Sequence, residues 1–187
     1  MLLIQAGREI LQRHGFQGLT VRAVAAAAGA NLGSFVYHFG TRDAFVGELV
    51  EEWYAPLMSR VTALDSTAPP LDRLRRAIVQ ISDFAGENEA FIGHLFTAAL
   101  SGDRIPREFL GSLAGRHPRV LLQLISEAQA AGDIVPDDPL QVACFLMASV
   151  GLPRLIAAEI GRIARDRDCI LQRLDWAVRG LSPRVPR

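Results

Sequence analysis

Four side chains that make hydrogen bonds without reacting, Asn31, Ser34, Tyr37 and His38, fall within one short run, NLGSFVYHFGTRD, at residues 31–43. Wound as a helix at about 100° per residue, they share one arc, while Leu32, Phe35, Val36 and Phe39 share an opposite arc of about 100°. Such a strip offers donors and acceptors for recognition, not a nucleophile and its base. Elsewhere the reactive residue types do not assemble. His14, His38, His94 and His117 are scattered, with no HExxH and no paired Cys/His spacing for a metal. There is no GxSxG, no phosphate-cradling glycine loop and no Cys–His nucleophile pattern. The pattern therefore predicts a binding protein, not an enzyme, with no metal and no resident cofactor.

A helix of about two turns does not persist alone in water, so its neighbours must hold it. Phe35 and Phe39 are the expected anchors. A preceding helix over 21–28 starts at the capping residue Thr20 and turns Val24, Ala25 and Ala28 inward, side chains small enough for a close crossing. Gly29 can take the left-handed backbone that a sharp turn requires. Gly40 closes the short helix. Thr41 caps the next, with Asp43 favourably placed in its first turn. Helix, glycine turn and second short helix make a helix-turn-helix, whose polar arc has the width that enters a DNA major groove.

Composition agrees with a folded chain: half of the 187 residues are hydrophobic and the formal charge is zero. The balance is uneven. Residues 1–42 hold Arg8, Arg13, Arg22 and Arg42 against Glu9 alone, and the rest of the chain is acidic by the same amount. A basic head on an acidic body suits contact with nucleic acid, although scatter of charge gives the same totals. Cys144 and Cys169 are too few and too deep in apolar sequence for a disulfide scaffold, which favours a reducing cytoplasm. The start carries no signal-like pattern, and the most apolar run, 142–153, falls short of the ~20 residues of a membrane span.

The sequence A-G-R-E-I-L…H-G-F…L-T-V-R-A-V-A…A-G-A-N-L-G-S-F-V-Y-H-F-G-T-R-D-A-F, residues 6–45, resembles the DNA-binding region of TetR-family transcriptional regulators. The resemblance implies that Thr20 caps the second helix near a phosphate and that Arg22 reaches the sugar–phosphate backbone. It places Asn31, Gly33 and Ser34 at the groove floor, gives Tyr37 and His38 to phosphates, and sets Arg42 on a phosphate at the start of the fourth helix. Each also has a plainer structural use: Asn31 as a helix cap, Tyr37 as a lid, Arg22 as a solvated charge, His38 as a core or surface imidazole, Thr20 and Gly33 as parts of the turn. The chain departs from the family pattern at Leu32, Val36 and Ala23.

The expected fold is all-α: a three-helix helix-turn-helix domain over 1–45 and a helical ligand-binding and dimerisation domain over 46–187. Ser66 to Pro70, STAPP, is the best linker signal, and helical periodicity continues over 71–86, 89–101, 106–113, 118–131, 140–161 and 166–180. The resemblance implies a homodimer on a palindromic operator, paired through 118–131 and 140–161, with repression relieved by a small molecule. Phe84, Phe91, His94, Phe96, Phe109, Phe145 and Met147 are the candidate pocket residues. They call for a largely apolar effector, and ordinary core packing explains the same stripes. The rival reading is a helical interaction module that has lost strong DNA binding, consistent with Leu32 and Val36.

Overall fold

A computed structural model of the chain describes residues 2–160 and 167–183, which are helical throughout apart from their connections. The α-helices are α1 (Leu2–His14), α2 (Val21–Ala27), α3 (Leu32–Phe39), α4 (Arg42–Thr62), α5 (Pro70–Glu87), α6 (Glu89–Leu100), α7 (Arg104–Ser112), α8 (His117–Ala130), α9 (Pro139–Ile160) and α10 (Arg167–Leu181). The three expected caps are made: the backbone N–H groups of Ala23, Ser34 and Ala44 donate to Thr20 Oγ1, Asn31 Oδ1 and Thr41 Oγ1 at 3.1, 2.8 and 3.1 Å. Gly29 has φ +62°, the left-handed conformation that ends α2 and redirects the chain into α3.

The chain divides into two compact units, Met1–Pro56 with Asn88–Leu113, and Leu57–Glu87 with Ala114–Arg187. The motif alone places a boundary at residue 45. The first unit instead extends along α4 and takes in α6 and α7, for reasons visible in the aromatic packing. Trp53 of α4 stacks on Phe91 of α6 with centroids 3.7 Å apart, and its indole N–H donates to Asn88 Oδ1 at 2.7 Å. Phe16 meets Phe91 edge-on, and Tyr54 meets Phe109 of α7 in the same way. At the other end of the unit, Phe35, Phe39 and Phe45 form a triangle with centroids 4.9–5.3 Å apart, joining α3 to α4. Gly7 of α1 admits that cluster, since a Cβ there would lie 2.5 Å from the Phe45 ring.

In the second unit α5 and α9 each pack on both α8 and α10. Leu74 and Ile78 of α5, Leu124 and Ile125 of α8, Leu146 and Val150 of α9, and Ile170 and Leu174 of α10 close a single buried cluster. Arg73 pairs with Glu127 and Arg75 with Asp175 around its edge. Neither Cys144 nor Cys169 is in a disulfide among the described residues. Among the described residues no helix is long and apolar enough to cross a membrane.

His117, at the start of α8, is largely withdrawn from water, and burial lowers its pKa from 6.5 to about 4. The unfolded chain thus takes up a proton near pH 6.5 that the folded unit refuses until about pH 4. The contribution of this group is complete above pH 6.5 and declines as the pH falls toward 4. Denaturant melts of wild type and His117→Gln should diverge across that window by roughly 3 kcal/mol, with wild type losing more. Parallel curves would contradict the assignment.

Candidate nucleic-acid interface

The short helix α3 is held from one side. Phe35 is fully buried and Phe39 half-buried, so the line of sight away from the core passes through Tyr37, which is 85 % exposed. Gly33 lies beside it on the crest. A Cβ on Gly33 would meet only Asn31 Oδ1, at 3.2 Å, so its missing side chain leaves clearance on the outer surface. Ser34 and His38 form one flank and help line a hollow of about 540 Å³ with the start of α1, the turn after α2, and Glu48 and Glu52 of α4. The other flank is aliphatic. Leu32 and Val36, expected in the inward arc, are instead 47 % and 55 % exposed. The reasons differ: Phe35 and Phe39 define the buried direction and Val36 stands at the margin of the arc, whereas Leu32 is the first residue of α3 and has no preceding turn to lie on.

The other candidate contacts differ in their freedom. Arg22 is exposed in the first turn of α2, with no hydrogen bond or ion pair to its guanidinium among the described residues. Thr20 and Asn31 are exposed, but each has an oxygen engaged as a cap. Tyr37 and His38 are exposed neighbours with their rings edge-on at 5.2 Å. Arg42, assigned to a phosphate by resemblance, is turned into the fold. Its Nε donates to the Leu19 carbonyl at 2.9 Å and its Nη2 to the Phe16 carbonyl at 2.8 Å, with Asp103 Oδ2 at 3.4 Å. Arg104 of α7 reaches back to Asp43 at 2.8 Å. These bonds hold the start of α4 against the turn that follows α1, so the geometry supports a clamp. Arg42 spans 23 to 61 residues of sequence in doing so, and no local spacing signals it.

The proposed pocket residues do not share one hollow among those described. Phe91 and Phe109 are buried in the aromatic packing of the first unit, where His94 covers Gly15 with Nδ1 3.0 Å from the position of a Cβ. Phe96, also in that unit, is half exposed. Phe84 is buried in the second unit. There Met147 lines an apolar groove of about 190 Å³ with Pro118, Leu121, Leu122 and Ala143, and Phe145 lines a separate hollow with Arg173 and Trp176.

Comparison with known proteins agrees with the geometry of α2 and α3. Residues 3–49 match the family described as "Bacterial regulatory proteins, tetR family". The chain is 29 % identical over 152 residues to the HTH-type transcriptional repressor DhaR of Mycobacterium sp. strain GP1, covering 79 % of this chain and 76 % of that protein. It is 34 % identical over 74 residues to the HTH-type transcriptional repressor KstR2 of Mycobacterium tuberculosis, covering 39 % and 37 %. Its fold matches the solved structure of the regulator PfmR of Thermus thermophilus with a TM-score of 0.75 at 17 % identity, over 97 % of this chain and 99 % of the other.

Proposed function

We propose, from the match of residues 3–49 to the tetR family of bacterial regulatory proteins, that the chain is a cytoplasmic homodimeric repressor of that family, bound to a two-fold symmetric operator and released from DNA by a small, largely apolar effector. The observation that carries the reading is α3 itself: capped by Asn31, pinned by three phenylalanines, and presenting Gly33 and Tyr37 outward between two flanks. A rigid short helix with exposed N-terminal residues is what major-groove entry requires. An interaction module that had lost DNA binding gives no reason for this arrangement.

The dimer surface is assigned to α9 and α10, a shift from the 118–131 and 140–161 pairing, whose residue 161 lies outside the described residues. The helix α8 turns Leu121, Leu124, Ile125 and Ala128 into the core and keeps Arg119, Gln123 and Ser126 outside. In contrast, α9 exposes Leu140 and Phe145, and α10 exposes Leu171 and Trp176. Apolar surface of this kind suits a second copy. The effector is assigned to the second unit, whose groove between α8 and α9 offers an almost wholly apolar lining. Its signal would pass along α4, which begins in the first unit at Arg42 and ends in the second at Thr62.

Selection of duplexes from a random-sequence library by the full chain tests the DNA reading. The expected result is a shared two-fold symmetric site, bound with an affinity that falls steeply with salt as phosphate counterions are released. Recovery of no shared sequence would overturn it.

A further inference from the structure

We propose that the aliphatic flank of α3, Leu32 and Val36, reads thymine C5-methyl groups in the operator; this rests on the DNA-binding reading above. The two residues are one turn apart, so their side chains project from the same edge of the helix. Leu32 is the first residue of α3 and Val36 the fifth, within the N-terminal part that meets base edges when such a helix enters the major groove. Both are about half exposed, although a fully buried phenylalanine lies on the same helix. Core packing therefore does not account for their character. Two bare aliphatic groups have no hydrogen bond to offer a base edge. The apolar feature a base pair presents in the major groove is the thymine methyl.

Gly33 supports the same geometry. It stands between the two aliphatic residues in sequence, and the space its side chain would fill is open except for the Asn31 carboxamide. That clearance lets the edge formed by Leu32 and Val36 approach the base pairs closely. Polar contacts from Asn31, Ser34, Tyr37 and His38 then orient the helix, and the methyl contacts select A·T pairs at defined positions.

The test uses the duplex selected from the library, remade with each half-site thymine replaced in turn by deoxyuridine, which removes the methyl group alone. At one or two positions per half-site the full chain should bind about four-fold more weakly for each methyl lost, and about sixteen-fold when both half-sites change together. Val36→Ala and Leu32→Ala should weaken binding to the thymine duplex by a similar factor and abolish the difference between thymine and deoxyuridine at their own positions. Val36→Thr keeps the branched shape of the side chain and should retain part of the discrimination. Equal affinity of the wild-type chain for every thymine and deoxyuridine duplex would overturn the inference and leave the DNA reading intact, as would a penalty that persists unchanged in both alanine variants. If selection recovers no duplex, both fall together.

Discussion

Replacing Phe35 with alanine should destabilise the first unit by about 3–5 kcal/mol and abolish DNA binding at any salt concentration. The ring is fully buried and lies 5.3 and 5.2 Å, centroid to centroid, from Phe39 and Phe45. Its removal leaves a cavity beside those rings, and Phe45 also packs closely on Gly7, where a Cβ would lie 2.5 Å from its ring, so a shift of Phe45 to fill the cavity would disturb that contact. The helix α3 has eight residues, too few to persist on intrinsic propensity, so losing this anchor releases the outward strip with it. A urea melt followed by operator binding reads both effects. Phe35→Leu, closer in volume, should fall between wild type and alanine. Full operator affinity in a folded Phe35→Ala variant would mean that α3 is held by something other than this ring.

Introducing charge on the second unit should have an effect of comparable size by a different route. Phe145→Glu combined with Trp176→Glu alters two side chains that are 46 % and 61 % exposed in the single chain and line one shallow hollow with Ser149 and Arg173. Neither is a member of the buried cluster of the unit, so the monomer should melt within about 1 kcal/mol of wild type. Pairing of two such surfaces would bury four new carboxylates against only the two Arg173 guanidinium groups. Light scattering after size exclusion should report a monomer. Operator affinity should drop on the order of 100-fold or more, since the second head no longer binds at the effective concentration its tether provides. A variant that stays dimeric and binds normally would remove α9 and α10 from the interface.

Local features were the legible ones. Thr20, Asn31 and Thr41 read as caps because each needs only a hydrogen bond to a backbone N–H three residues on, and Gly29 reads as the turn because the left-handed region excludes most other residues. The anchoring of α3 by Phe35 followed from the helical period. The period alone did not place Val36, which lies at the edge of an arc about 100° wide, or Leu32, which opens the helix and has no earlier turn for its side chain to cover. Arg42 illustrates the other limit. Its carbonyl partners and Asp103 are brought to it by tertiary structure, so the residue type suggested an anion contact while the fold uses its donors internally. The exposure of Leu140, Phe145, Leu171 and Trp176, on which the proposed pairing surface rests, likewise needed the folded unit, because α8 and α10 have similar amphipathic periodicity and differ in which positions the core has left uncovered.

The stacking of Trp53 on Phe91 and the Arg42–Asp103 and Asp43–Arg104 pairs have an evolutionary corollary. The operator-reading module is not a contiguous cassette: it is interrupted by residues 57–87 and completed by a stretch further along the gene. A single recombination crossover after the helix-turn-helix would part it from the segment that braces it, so successful chimaeras between relatives should carry two junctions rather than one.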